Sequence, residues 1–381
     1  PSMYQDKILP AEEALSRIRN GTTIFVGSGA GEPRLLVNSL ADMASKFWDV
    51  QVIHLAATDK EFILGRPEYK NHFHYNTFYI GQGVSVLLSD GTADYTPMNI
   101  SEIPMAMERG ILDIDVALIQ VSQPDALGFC SLGVSVGVTK AAAKFAKTVI
   151  AQVNENMPVT FGDSLIPVDS IDYLVEGNMP IIEVEPPEVD PITLTIGRRI
   201  ANLIKDGMTL SFDRSAISAS VMRYLDTKKD LGIHTDFLTD DIMRLIKSRA
   251  VTNRQKKIHK GKTVATIAVG TDSLYEWLDE NPYVEILPID QVNDPYVIGQ
   301  NDNMVSIHSV YEVELTGVAR AFGESDYQLG GLAAGRDFMA GARRSKDGFT
   351  IVALASTTPD GKHSSIVPLS IGHGAYFSRS Q

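Results

Sequence analysis

Two stretches decide the fold: "IRNGTTIFVGSGAGEPRLLVNSL" (18–40) and "IKDGMTLSFDRSAISASVMRYL" (204–225). They align without a gap at an offset of 186 residues, pairing Ile18 with Ile204, Gly21 with Gly207, Ile24 with Leu210 and Leu35 with Val221. Each reads as a helix end, an Asn-Gly or Asp-Gly stop, a short apolar strand and a second helix. Strands alternating with helices predict α/β domains, each with a largely parallel sheet and flanking helices. The copies part in the loop after the strand. The first has Gly27-Ser28-Gly29 where the second has Asp213-Arg214-Ser215.

A second echo joins "IDVALIQVSQPDALGFCSLG" (114–133) to "FTIVALASTTPDGKHSSIVP" (349–368), each an apolar strand, a Pro-Asp turn and another short strand. Between the halves, "IIEVEPPEVDPITLTIGRR" (181–199) carries three prolines and four acidic residues and reads as a connector. Two related domains are therefore expected, 1–187 and 188–381. Ligands are expected beyond the carboxyl ends of the strands, in the cleft between the two domains.

The chain has 381 residues, 44% apolar and 21% charged, an ordinary globular composition. Its net charge of −13 (34 Lys and Arg against 47 Asp and Glu) argues against nucleic acid or an anionic membrane as the main partner. The single Cys130 lies among apolar residues in "ALGFCSLG" and reads as a small buried side chain. No apolar run is long enough to span a bilayer, so a cytoplasmic protein is expected. No metal, flavin or nucleotide signature is present.

"FVGSGAGEP" (25–33) is a strand, a glycine-rich turn and a helix start. Glycines let backbone N–H groups approach an anion or a carbonyl oxygen closely. A tight turn without a ligand satisfies the same pattern. No Gly-Lys-Ser/Thr follows, which excludes a Walker loop, and the full dinucleotide fingerprint is missing.

Three further runs, "DVALIQVSQPDALGFCSLGVSV", "AQVNENMPVTFGDSLIPVDSIDYLV" and "VNDPYVIGQNDNMVSIHSVYEVELTG", resemble the acetyl-CoA hydrolase/transferase family, which includes 4-hydroxybutyrate and acetate CoA-transferases. The resemblance implies two CoA-transferase-type domains, acyl-CoA and a carboxylate as substrates, no tightly bound cofactor, and a homodimer or larger homo-oligomer. Family members run some tens of residues past the equivalent of "SIGHGAYFSRSQ", so a truncated or fused module is one expectation. The implied chemistry is ping-pong transfer through an acyl–enzyme anhydride and an enzyme–CoA thioester, with a glutamate as nucleophile.

Residue by residue, the family's nucleophile segment corresponds to "GIHTDFLTDD", which places Asp236 at the glutamate position. Its second glycine loop corresponds to Asp213-Arg214-Ser215, and its later oxyanion and CoA loop to Ala333-Ala334-Gly335-Arg336. The family pattern is kept at Asn293, a CoA contact, and at Gly27-Ser28-Gly29, an oxyanion or CoA loop. Asp for Glu withdraws the carboxylate by about 1.5 Å. Glu32 and Arg34 are expected to face the acyl group. Arg214 and Arg336 are expected either to hold an anion or, for Arg214, to close the pocket by pairing with Asp213 or Asp236. His234 is expected to be a packed strand histidine and His308 a hydrogen-bonded core residue. The basic run "GARRSKDG" (341–348) reads as a CoA phosphate contact or a solvated helix end. The leading function is a CoA-transferase or acyl-CoA hydrolase acting through Asp236. The alternative is a catalytically degenerate member of the fold serving as a ligand-binding or noncatalytic module.

Overall fold

Gly21 and Gly207 hold φ at 73° and 79°, in the left-handed region that glycine enters without a steric penalty. Each turns the chain into the first strand of a sheet, so both copies of the repeat start from the same backbone device. The computed structural model describes residues 4–55, 63–78, 87–88, 91–321, 335–370 and 376–377. By contacts the chain forms two compact units, one of residues 1–98, 102–184 and 267–290, the other of 99–101, 185–266 and 291–381.

In the first unit the main sheet is built from β1 Thr23–Val26, β2 Val50–His54, β3 Phe73–Thr77, β4 Ala93–Tyr95, β5 Val116–Val121, β6 Thr148–Val153 and β7 Tyr173–Glu176. They form one parallel sheet in the order β7-β6-β5-β1-β2-β3-β4. Every residue of β5 is buried, as expected of a parallel strand covered on both faces. Helices α1 Arg34–Asp42, α2 Ile103–Glu108 and α3 Thr139–Phe145 accompany it. Leu36, Val37 and Leu40 of α1 join the core with Ile24, Val26, Val52 and Leu118. Strand order reverses at β1, so the topological switch point lies between β1 and β5, directly below the Gly27-Ser28-Gly29 loop.

Residues 267–290 lie on the C-terminal side of the 187/188 boundary in sequence but pack in this unit. The reason is a parallel pairing of Val284–Ile286 with Phe161–Gly162. Cys130 is buried, and burial pushes its thiol up to about 12, which leaves it inert.

The second unit holds β8 Thr209–Phe212, β9 Gly232–Ile233, β10 Met304–Ser309 and β11 Phe349–Ala353 in the parallel order β9-β8-β10-β11. Its described helices include α4 Pro191–Ala201, α5 Ala216–Met222, α6 Asp240–Lys247 and α7 Gly335–Arg344. Asp190 starts α4 with a reciprocal capping box to Thr193, which is where the proline-rich connector ends. The switch point here lies between β8 and β10.

The second sequence echo does not survive this topology. The Gly27 N–H donates to Leu118 O of β5 (2.9 Å), and the aligned Asp213 N–H donates to Ile307 O of β10 (3.3 Å). β10 is therefore the counterpart of β5, whereas the echo had matched β5 with β11, one strand further out. Two buried apolar strands resemble one another because they meet the same solvent condition, whatever their place in the sheet.

Gly197 of α4 lies against α5: a Cβ there would stand 2.1 Å from Ser220 Oγ and 2.7 Å from the Ser220 carbonyl carbon. Gly197→Ala is expected to destabilise the protein by about 1–3 kcal/mol in denaturant unfolding, because backbone has to move to admit the methyl.

Candidate active site

At the first switch point the glycine loop leaves backbone donors open. Gly29 takes φ of 59°, and Gly31 and Glu32 close a single helical turn by donating to Ser28 O and Gly29 O (3.1 and 3.2 Å). The N–H groups of Ser28, Gly29 and Ala30 meet no acceptor among the described residues, although all three residues are buried. The Ser28 hydroxyl is likewise buried and unpartnered. Buried donors are nearly always satisfied in native structures, so successive open ones mark a cradle for an electronegative atom.

The aligned loop of the second unit fills itself. Asp213, at the Gly27 position, accepts at Oδ1 from the Ser215 N–H (3.0 Å), the Ser215 hydroxyl (2.5 Å) and the Ser218 hydroxyl (2.6 Å). Its Oδ2 accepts from the Ser309 N–H of β10 (2.7 Å). The N–H of residue 215, whose counterpart at Gly29 is open, is thus satisfied by a carboxylate two residues away. Ser215 also caps α5 by accepting from the Ser218 N–H. This carboxylate is structural.

Asp236 follows β9 and is 8% exposed. Its Oδ1 accepts the Phe237 N–H (3.0 Å), and Oδ2 has no partner among the described residues. Burial pushes its carboxyl up to about 7. The Phe237 N–H opposes that shift, the neighbouring Asp213 charge adds to it, and Arg214 offsets part of it. Arg214 sets its guanidinium over the Phe237 ring, 5.3 Å from the centroid, and its charge lowers the Asp236 carboxyl against the effect of burial.

His234 is packed in the strand as expected. Its Nε2–H donates to Val292 O (2.7 Å), and burial pushes its pKa down to about 3, so the ring stays neutral. That bond anchors the residue before Asn293, whose amide is fully buried with neither its oxygen nor its nitrogen partnered. His308 is buried with its Nε2 unpartnered, and burial lowers its pKa, which the Asp213 charge opposes. Gly335 and Arg336 begin α7, and Arg336 makes no ion pair among the described residues. Ala333 and Ala334 lie outside the described residues. In the basic run, Arg344 stacks on Tyr296 at 4.2 Å and the Ser345 hydroxyl donates to Asn301 O (2.5 Å). Asp240 and Asp241 open α6 behind Thr239, which makes no side-chain cap bond.

One cluster went unread in the sequence. Glu32 approaches His54 Nε2 at 3.3 Å, and His54 Nδ1 is 3.1 Å from the Tyr75 hydroxyl. Gln120 of β5 donates to Glu32 O (2.9 Å), and Asn154 donates to Gln120 (2.7 Å). Only the position of His54 and Tyr75 on neighbouring parallel strands brings them together. Arg34 turns its guanidinium to Pro180 O. Among the described residues, no group of three or more His, Cys, Asp or Glu is placed to hold a metal ion, and no helix is long and apolar enough to cross a membrane.

Residues 1–186 match the acetyl-CoA hydrolase/transferase N-terminal domain, and residues 270–380 match the C-terminal domain of the same family. The chain is 41% identical over 372 residues to the 4-hydroxybutyrate coenzyme A transferase of Clostridium kluyveri, covering 96% of this chain and 85% of that protein. It is 35% identical over 375 residues to the succinyl-CoA:cyclohexane-1-carboxylate CoA transferase of Geobacter metallireducens, covering 96% and 83%. Among solved structures, RipA from Yersinia pestis superposes with a TM-score of 0.90 at 32% identity, covering 97% of this chain and 86% of RipA. The 4-hydroxybutyrate CoA-transferase of Porphyromonas gingivalis gives 0.83 at 34% identity, covering 97% and 87%. The chain belongs to the acetyl-CoA hydrolase/transferase family.

The two carboxylates differ in what they do for stability. Asp213→Ala strands the Ser309 and Ser215 N–H groups and is expected to cost about 2–4 kcal/mol in denaturant unfolding. For Asp236 the folded pKa lies above its ordinary 3.8, so its contribution is most favourable below pH 4 and is lost as pH rises toward about 7. Asp236→Asn is expected to stabilise the protein at pH 8 by on the order of a few kcal/mol. The gain should shrink toward zero near pH 4 when thermal unfolding is followed across pH.

Proposed function

We propose that this chain transfers coenzyme A between carboxylic acids, with Asp236 as the nucleophile. The observation that carries the assignment is a buried carboxyl with one oxygen unpartnered and its pKa lifted to about 7, at the position where the family resemblance implies the nucleophile. Desolvation keeps such a carboxylate reactive, because its charge is not dissipated into hydrogen bonds.

Asp236 Oδ2 attacks the thioester carbonyl, the C–S bond breaks, and CoA leaves as the thiolate. The thiolate then attacks Asp236 Cγ and expels the original acyl group as a free carboxylate, leaving an enzyme–CoA thioester. The acceptor carboxylate attacks Cγ in turn, and the thiolate returns to the acceptor's carbonyl, releasing product acyl-CoA and the aspartate. The open N–H groups of Ser28 and Gly29, with that of Ala30, read as donors to a ligand oxygen. The unpartnered Asn293 amide reads as a CoA contact. Gly335 and Arg336, together with Ala333 and Ala334, are assigned to the CoA side by the resemblance alone. The inherited halves are taken as 1–187 and 188–381. The protein is taken to work without a tightly bound cofactor, as a cytoplasmic homo-oligomer.

The attacking species is the ionised carboxylate, so the acidic limb of kcat/KM is expected to rise with pH through about 7. Incubation with acetyl-CoA alone should give a covalent CoA adduct by intact mass, removable with borohydride. Asp236→Ala should give no adduct and at least a ~10³-fold loss of transfer. A wild-type protein that forms no adduct and releases no thiol would favour the noncatalytic alternative.

A further inference from the structure

Glu32 spans the carboxyl ends of three strands. Its carbonyl is held from β5 by Gln120, its N–H closes the turn on Gly29 above β1, and its carboxylate reaches His54 at the end of β2. The Glu32 backbone is thus held from both sides of the switch point, and its carboxylate stands beside His54. His54 Nδ1 stands 3.1 Å from the Tyr75 hydroxyl, which also donates to His54 O (3.4 Å), and His54 Nε2 lies 3.3 Å from the Glu32 carboxylate. Burial pushes the Tyr75 phenol up, which keeps it a donor, and the Glu32 charge adds to that shift. The Glu32 side chain is still 16% exposed, so its carboxylate is open to a ligand, on the same turn that carries the open N–H groups. Arg34, the nearest basic residue in sequence, is committed to Pro180 O and does not pair with it.

We propose that Glu32, positioned by His54 and Tyr75, is a specificity-determining residue that excludes a second carboxylate from the acyl chain and restricts the enzyme to monocarboxylate acyl groups. The inference rests on the CoA-transfer reading and deepens it. A carboxylate accepts hydrogen bonds and cannot donate them. A dicarboxylate whose first carboxyl oxygen seats on the Ser28–Ala30 donors would bring its second charge toward a like charge with little water to screen it. Rejection built from like-charge contact is how binding sites separate substrates of similar size.

The test compares succinate with propionate as CoA acceptors by their kcat/KM ratio in wild type, Glu32→Gln and Glu32→Asp. Wild type is expected to favour propionate by at least about 30-fold, and Glu32→Gln to raise the succinate-to-propionate ratio by at least about tenfold. Glu32→Asp, which keeps the charge, should stay near wild type and controls for folding. A ratio in Glu32→Gln within twofold of an active wild type overturns the proposal. Thermal shift with succinyl-CoA and butyryl-CoA reads the same discrimination without turnover. The larger shift should come from butyryl-CoA in wild type, and the difference should vanish in Glu32→Gln. If no variant turns over, that binding difference upholds the Glu32 assignment while the transfer reading fails, and equal shifts in wild type overturn the Glu32 assignment.

Discussion

The interaction on which this account depends is one that the first unit does not make for itself. Three successive buried N–H groups at the β1/β5 switch point have no internal acceptor among the described residues, while at the equivalent point of the second unit Asp213 supplies one. An unmet buried donor costs on the order of 1–3 kcal/mol, so a chain retains several only where something else completes them. The two aligned strand–loop–helix segments thus meet this condition in opposite ways. One leaves its donors open. The other spends a carboxylate, two serines and a cap on its own stability. The charge in "FDRS" fills a hydrogen-bonding deficit that glycines leave open.

Asp236 shows the complementary cost. A carboxyl buried with one backbone donor is held in a protonation balance near neutrality by its surroundings, and folding is weakened wherever it ionises. In the proposed mechanism the same desolvation makes the ionised form a strong nucleophile. The proposed reactivity and the instability at this position then have one cause, the burial of the carboxyl. Arg214, over the Phe237 ring, tempers the cost through its charge.

Much of this was legible in sequence, for reasons that vary by residue. The glycine turns at 21 and 207, the strands they feed, the buried Cys130 and the packed His234 follow from local steric and solvation rules, which the residue types themselves carry. The equivalence of 114–133 with 349–368 misled because buried parallel strands share a composition that holds no record of their neighbours. His54, Tyr75 and Gln120 could not be placed from sequence, since only strand order brings β2, β3 and β5 to one end of β1.

The most direct test follows oxygen rather than rate. In the proposed cycle the acceptor carboxylate bonds to Asp236 Cγ and leaves one of its oxygens behind when CoA departs with the acyl group. Turnover with an ¹⁸O₂-labelled carboxylic acid, followed by proteolysis and mass spectrometry, should therefore place ¹⁸O in the peptide containing Asp236 and in no other. Sustained turnover with that peptide unlabelled would show that Asp236 never bonds to substrate and would contradict the account.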